Sequence, residues 1–377
     1  MQHSLAEGNP LPRFREHMER RGLEACVISD PLHIAYLAGA QLPAGCFSCL
    51  LLTATDVVLV SPSSAGISTT GEVQVLSYED RTFAREVEPV SSAQQAFASA
   101  LARLGHVRRV GLEPACLPAA FSDALRQALG APEAVDVGPD LRRQRMVKGA
   151  AEAEAIGRAV AACDRIFAAV ERTIRGGCTE LDVYLAALGA VVEESAGPAM
   201  LDGDFVSGPR TAEIGGPPTP RVLRPGDLLI VDVYPRIGGY WADCTRSYTV
   251  GEPSAEQSEL HALLVEAMEA GERLLEPGRP AAEVYAAVKG VLERVGSRAS
   301  FPHHAGHGVG VTPSEDPRLV PGSSERLQAG MLVTLEPGLY GPAVGGMRLE
   351  DNFLVTDEGA RSLSRYPRRL VMLPCDG

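Results

Sequence analysis

No stretch of this 377-residue chain approaches 18 uninterrupted apolar residues, so no membrane-spanning helix is expected. The opening "MQHSLAEGNPLPRFREHMERRG" is polar and lacks the apolar run and small-residue cleavage site of a signal peptide, which points to a cytoplasmic protein. Positive charge is also scarce. With 35 Lys and Arg against 48 Asp and Glu, the formal net charge is −13 and the basic residues are scattered. Neither nucleic acid nor an anionic membrane is expected as a partner, because both need basic clusters. The eight cysteines (Cys26, Cys46, Cys49, Cys116, Cys163, Cys178, Cys244 and Cys375) show no framework spacing and read as reduced thiols. Cys46 and Cys49 form one CxxC pair, but no second pair or suitable histidine follows to complete a zinc knot. What the chain does have is core: 45% apolar residues over this length support two domains, and the acidic balance suits a cation site.

The first 140 or so residues alternate strands with helices. "EACVISD", "CLLLTATDVVLVSP", "VQVLSY" and "RRVGLEP" read as strands and "AQQAFASALARLG" as a helix, which describes a small α/β domain. A basic, polar stretch then leads into a long helix whose apolar residues Ile156, Val160, Cys163, Phe167, Val170 and Ile174 step by four and three. The boundary is placed near residue 145, giving domains 1–145 and 146–377. The second half carries an internal repeat. "GCTELDVYLAALGAV" from Gly177 and "GRPAAEVYAAVKGVL" from Gly278 share glycine, an acid, Val-Tyr, alanine and glycine at a constant offset. Each is preceded by another helix, the later one opening with a capping box from Ser254 to Gln257, and each is followed by a β-hairpin. Duplication predicts pseudo-twofold symmetry with two facing hairpins; chance similarity of two amphipathic helices is the alternative.

Both hairpins hold acids where acids are costly. In "DLLIVDVYPRIGGYWADCTRSYTV" the leading strand is apolar on both faces yet contains Asp232. A turn at Ile237-Gly238 places Asp232 directly opposite Asp243. In "LVTLEPGLYGPAVGGMRLEDNFLVT" Glu336 and Glu350 are symmetric about Ala343. An ion pair with Arg348 or Arg246 would explain one buried acid. Two opposed pairs call for cations, since an unpaired buried carboxylate costs several kcal/mol. Four carboxylates balance two divalent ions, and an imidazole completes a mostly oxygen shell suited to Mn, Co, Fe or Zn. Among the histidines of "FPHHAGHGVG", His307 is the expected ligand, its flanking glycines allowing close approach to the metals. His303 is expected to face substrate or support the ligands, and His304 to be structural or exposed. Ala305 and Gly306 leave no glutamate for an HExxH zinc site.

Asp232, Asp243, His307, Glu336 and Glu350, set in "VDV", "ADCTRSY", "GHGVG", "LEPGLY" and "RLEDNFLVT", resemble the five metal ligands of the creatinase/prolidase/methionine aminopeptidase family, the M24 metallopeptidases. "DPLHIAYLAGA" near the start and "SGPRTAEIGGPPTPRVLRPGDLLIVDV" before the first aspartate are similar to Xaa-Pro aminopeptidases and Xaa-Pro dipeptidases, so the resemblance spans nearly the whole chain. It implies an α+β fold in which a creatinase-like α/β N-terminal domain precedes a pita-bread catalytic domain with pseudo-twofold symmetry. It also implies a homodimer.

Two departures from the family pattern stand out. Family peptidases usually carry histidines, implied to hydrogen-bond substrate or the tetrahedral intermediate, where this chain has Gly215 and Ser314. Glycine has no side chain to donate, and serine neither titrates near neutrality nor reaches as far. The expected function is a dinuclear metal-dependent hydrolase, with manganese among the candidate ions, that cleaves an amide near the N-terminus of a small peptide. Glu336 serves as ligand and proton shuttle, His303 as a second catalytic group, and Arg348 as a substrate-binding or supporting residue. A relative acting on a small non-peptide amide or by lyase chemistry is the alternative. A binding protein on a retired peptidase fold is disfavoured by the retained acids, and a metal-free creatinase-like mechanism by the complete ligand set.

Overall fold

The computed structural model describes residues 10–67, 69, 72–195 and 200–375. Residues 1–9, the start of the polar stretch that reads as no signal peptide, lie outside them. The chain divides into two compact units, Met1–Arg145 and Met146–Gly377.

In the first unit, β1 (Ala25–Ile28), β2 (Cys49–Leu52), β3 (Val57–Pro62), β4 (Gln74–Tyr78), β5 (Arg109–Leu112) and β6 (Glu133–Asp136) form one sheet in the order β4-β3-β2-β1-β5-β6. Its two pairings through β2 are antiparallel and the other three are parallel. The short apolar runs of β1 to β3 are buried throughout, as strands covered on both faces must be. Helices α1 (Leu11–Arg20), α2 (Pro31–Ala38), α3 (Pro89–Leu101) and α4 (Ala119–Leu129) complete it, and α5 (Gly138–Met146) leads to the boundary. The Phe97 and Phe121 rings meet edge to face on one side of the sheet. Within "DPLHIAYLAGA", Asp30 caps α2 through the Leu32 N–H at 2.9 Å. Glu113 accepts the Ser29 and Asp30 N–H groups at 2.8 and 2.9 Å and also bonds His33. Asp30 is thus the N-cap of α2, and Glu113 ties the two residues before the helix to His33 within it. Cys46 and Cys49 join no group of three potential ligands among the described residues.

The second unit repeats its element order. Helices α6 (Ala150–Thr173) and α7 (Glu180–Ser195) precede β7 (Met200–Ser207), β8 (Leu228–Ile237), β9 (Tyr240–Trp241) and β10 (Cys244–Val250). Helices α8 (Ala255–Glu272) and α9 (Ala281–Leu292) precede β11 (His307–Gly308), β12 (Glu315–Arg318), β13 (Leu332–Leu335), β14 (Gly338–Gly341), β15 (Gly345–Arg348), β16 (Asp351–Thr356) and β17 (Gly359–Ser362), with β18 (Val371–Leu373) last. One sheet runs β18-β10-β8-β7 with β9 on β8, the other β12-β11-β13-β16-β17, and β14-β15 form a separate ribbon. The apolar stripe of α6 is buried from Ile156 to Val170, and this helix packs on β8. Ser254 and Gln257 exchange the two expected capping bonds at the start of α8, 3.1 and 2.8 Å. Met268, Val284, Val288, Leu335 and Phe353 join α8, α9 and the second sheet in one core. No helix among the described residues is long and apolar enough to cross a membrane.

The first hairpin differs from its expected register. Ile237 pairs with Tyr240, so the turn residues are Gly238 and Gly239, at φ 58° and 90°. A two-residue turn of this hand needs positive φ at both positions, which two glycines adopt without the steric cost an isoleucine would carry. Moving the turn by one residue shifts the register by two. Asp232 consequently faces Thr245, and Asp243 is its diagonal neighbour on the same face. The second hairpin keeps the register expected about Ala343: Leu335 pairs with Asp351 and Gly338 with Arg348, which sets Glu336 and Glu350 opposite one another between these rungs.

Candidate metal centre

Each acid of the centre sits where an apolar residue would otherwise be buried. Asp232 lies inside β8, Asp243 between β9 and β10, Glu336 between β13 and β14, and Glu350 between β15 and β16, none more than 7% exposed. Oxygen Oδ1 of Asp232 accepts the Thr245 hydroxyl at 2.7 Å; Oδ2 accepts the Tyr234 hydroxyl at 2.6 Å and the Arg348 guanidinium. Burial raises the Asp232 pKa, and Arg348 pulls part of that shift back. An arginine partner thus accounts for this acid, as it could for one.

It does not account for the others. Arg246 bonds Asp351 at 2.7 Å and the Glu350 backbone carbonyl at 2.8 Å, and so fixes the chain beside the acids without touching their side chains. Burial, and then the Glu350 charge beside it, push the Asp243 carboxyl far above the usual range. Burial and then Glu336 push Glu350 the same way. Among the described residues, Asp243 Oδ1 and Glu350 Oε1 are buried with no hydrogen-bond partner. Such atoms normally find a donor or a cation.

His307 offers the complementary nitrogen. Its Nδ1 lies 2.8 Å from the Gly308 carbonyl, which can only accept, so Nδ1 carries the proton and Nε2 presents a lone pair. That Nε2 stands 3.4 Å from both Asp243 Oδ2 and Glu336 Oε1. Potential ligand atoms of Asp243, His307 and Glu350 converge within 4.8 Å, and those of His303, His304 and Glu336 form a second such group. The donor set fits divalent cations: hard carboxylate oxygens, one imidazole lone pair, and, in Asp243 and Glu350, buried acids with an unpartnered oxygen among the described residues. Asp232 joins neither group of three and is tied to the centre through Thr245, whose hydroxyl also lies 3.0 Å from Glu350 Oε2.

The glycines flanking His307 have a different use from the one expected. A Cβ at Gly306 would meet the Thr334 carbonyl at 2.0 Å, and one at Gly308 the Asp316 carbonyl at 2.2 Å. They let β11 press against neighbouring backbone, which fixes the imidazole from behind rather than bringing main chain to the metals. His304, expected to be structural or exposed, is half-buried with Nδ1 2.9 Å from Glu336 Oε1. Burial works to raise the Glu336 pKa, but the His304 bond and the imidazoles outweigh it and hold the carboxyl low. His303 binds the His304 carbonyl through Nδ1 at 2.8 Å, leaving Nε2 to accept from the Tyr340 hydroxyl at 3.1 Å. Arg348 Nη1 in turn donates to the Tyr340 oxygen at 3.1 Å. An ordered line, Arg348 to Tyr340 to His303, therefore runs past Glu336.

Residues 154–357 match Metallopeptidase family M24, and residues 10–147 match the Creatinase/Prolidase N-terminal domain. The chain belongs to metallopeptidase family M24. Its family makes it a metallopeptidase-type hydrolase with the creatinase-type N-terminal domain followed by the M24 catalytic domain. M24 relatives include a Mycobacterium tuberculosis protein named "Probable dipeptidase PepE", 37% identical over 264 residues, which are 68% of each chain. The Xaa-Pro dipeptidase of Pyrococcus horikoshii is 26% identical over 96% of this chain and 98% of its own. Dipeptidase PepE from Mycobacterium ulcerans superposes with a TM-score of 0.77 at 30% identity, covering 97% of both chains.

Tyr340, Thr245, Tyr234 and Asp204 were not anticipated. Tyr340 sits four residues after Glu336 in "LEPGLY", near enough in sequence to have been considered. Asp204 gave no signal, because its place opposite Asp232 depends on β7 joining the far side of β8.

Proposed function

We propose that this M24 protein is a dinuclear metal-dependent peptidase of the Xaa-Pro type, acting on an amide near the N-terminus of a short peptide. The observation that carries the reading is the buried pair Asp243 and Glu350, two carboxylates with unpartnered oxygens beside the His307 lone pair. Asp232, Asp243, His307, Glu336 and Glu350 are assigned as ligands of two divalent ions, with Mn, Co, Zn and Fe as candidates. Ions bound there supply Lewis acidity towards a carbonyl oxygen and lower the pKa of water. The names of the P. horikoshii and M. tuberculosis relatives support a dipeptide or short-peptide substrate. A homodimer in the cytoplasm completes the proposal.

The chain's own residues then have distinct tasks. Glu336, beside the His304 and His307 imidazoles, is assigned as the group that takes a proton from the attacking water and returns it to the leaving nitrogen. Tyr340 is oriented between Arg348 and His303; its single proton rests on His303 Nε2 and would turn to the oxygen that gains charge once substrate is bound. His303 keeps that phenol aimed, with its own proton committed to the His304 carbonyl.

Metal analysis of protein purified without chelators and reconstituted with Mn or Co tests the centre; about two ions per chain are expected, and stoichiometry near zero would overturn the assignment. A panel of X-Pro dipeptides, longer X-Pro peptides and small amides tests the substrate. Turnover of a non-peptide amide alone would move the reading to a non-peptidase relative.

A further inference from the structure

Across the β7–β8 ladder, Asp204 is paired directly with Asp232. Like charges in opposed positions destabilise a sheet, and here one guanidinium serves both: Arg348 Nη2 lies 3.1 Å from Asp204 Oδ2 and also bonds Asp232 Oδ2. Arg348 already has a buried counter-charge in Asp232, so its neutralisation does not explain a second acid. The two differ in access. The Asp204 side chain is 26% exposed and that of Asp232 3%.

The surroundings hold the Asp204 carboxylate in place while its side chain stays 26% exposed. Gly216 N–H donates to Oδ1 at 2.8 Å. The preceding Ile214 sits at φ 76°, ψ −54°, a strained conformation for a β-branched residue, and its carbonyl accepts Arg348 Nη1 at 3.1 Å. This turn therefore pins both members of the ion pair through its backbone. Gly215 lies between those two contacts, and a Cβ there would stand 2.2 Å from Asp204 Oδ2. The volume of a side chain at 215 is thus taken by a carboxylate. Tyr234 completes the junction, its hydroxyl 2.6 Å from Asp232 Oδ2 and 3.5 Å from Asp204 Oδ2.

We propose that Asp204 is a specificity-determining residue that receives an ammonium group of the substrate beside the metal centre. This rests on the amide-hydrolase reading above. A carboxylate offers about four acceptor positions, and Gly216 and Arg348 fill two at short range. An ammonium brings three donors and the matching charge, whereas an anionic group would meet two carboxylates sharing one arginine. The ammonium comes either from the substrate's α-amino group or from a basic side chain.

The test uses ligands with no scissile bond, titrated calorimetrically into the metal-loaded protein. L-leucinol carries an α-ammonium, 6-aminohexan-1-ol an ammonium at the end of a chain, and 4-methylpentan-1-ol none. Asp204→Asn keeps an acceptor for Gly216 and removes only the charge; it should weaken one amino alcohol about tenfold and leave the plain alcohol unchanged. Loss confined to leucinol assigns the α-ammonium, and loss confined to aminohexanol assigns a basic side chain. Gly215→Ala, which displaces the carboxylate without neutralising it, should reproduce the loss. Unchanged binding of both amino alcohols in Asp204→Asn, or an equal loss for all three ligands, would overturn the proposal. Hydrolysis of X-Pro peptides by the wild type is scored separately: discrimination among the alcohols without such hydrolysis would overturn the peptidase reading and leave the role of Asp204 standing.

Discussion

The Thr245 hydroxyl lies 2.7 Å from Asp232 Oδ1, directly across the β8–β10 ladder. The same oxygen is 3.0 Å from Glu350 Oε2 and accepts Arg348 Nε at 3.1 Å. A hydroxyl has one proton, so it serves one carboxylate at a time while orienting both. Thr245→Val keeps the shape and removes the donor. Metal affinity should fall about 10- to 100-fold, as for other groups that orient ligands from behind. Titration of chelator-stripped protein with Mn measures this, and an unchanged affinity would remove Thr245 from the centre.

Asp243 should behave oppositely with and without metal. Its folded pKa is raised above the unfolded value, so in metal-free protein its contribution to stability is lost as pH rises from the unfolded pKa towards the folded one. Asp243→Asn removes that repulsion. Metal-free Asp243→Asn should therefore melt above metal-free wild type at pH 7, while added metal stabilises only the wild type. Asp243→Ala should likewise abolish activity and leave the fold intact. A metal-free Asn variant melting well below wild type would mean that Asp243 has a structural partner after all.

His307 and His303 separate by what each ring nitrogen faces. His307→Ala removes the lone pair between Asp243 and Glu336 and should cost metal. His303→Ala removes the acceptor that aims Tyr340 and should keep metal while lowering kcat, more mildly than the loss of a metal ligand does. Equal metal loss in the two variants would sink this division.

Most of the fold was legible because its signals are local. The strand runs of the first unit, the four-and-three stepping of α6, and the Ser254–Gln257 cap are patterns of neighbouring residues. The acids stood out because each interrupts an apolar strand. What failed was fine register: a one-residue error at the Gly238-Gly239 turn moved Asp232 from Asp243 to Thr245, since each turn position counts twice along an antiparallel pair. The Asp204–Asp232 pair was hidden for another reason. It joins strands separated by a long excursion, and nothing local to "LDGDF" specifies which strand lies beside it.

The absent histidines cannot simply be put back. Gly215→His together with Ser314→His would restore the family pattern in sequence, and weak activity on standard X-Pro peptides is expected without it. In the structure, a Cβ at 215 stands 2.2 Å from Asp204 Oδ2, so the histidine must displace that carboxylate and its Arg348 contact. Gly215→His alone should lower both Tm and kcat/KM. Adding Asp204→Ser should recover part of the Tm, a coupling expected only of residues in contact. Thermal melts of the three variants check it; additive losses would show that the two positions do not share space.

His261 on α8 sets a pH window that has nothing to do with the metal. The residue is 7% exposed, and burial followed by the Arg246 charge lowers its pKa from 6.5 to about 4. Between those values the unfolded chain binds the proton and the folded protein does not, so the unfolding free energy rises with pH across this window. Above about pH 7 both states are neutral at this position, and the contribution is constant. His261→Gln cannot titrate. The wild type should therefore lose up to about 3 kcal/mol relative to the variant as pH falls from 7 to 4, the value of the shift at about 1.4 kcal/mol per pH unit. Carboxylates that titrate in the same range cancel in the comparison, because both proteins carry them. Urea melts of wild type and His261→Gln at half-unit intervals measure the difference, and parallel curves would show that the imidazole accepts its proton inside the fold as readily as outside it.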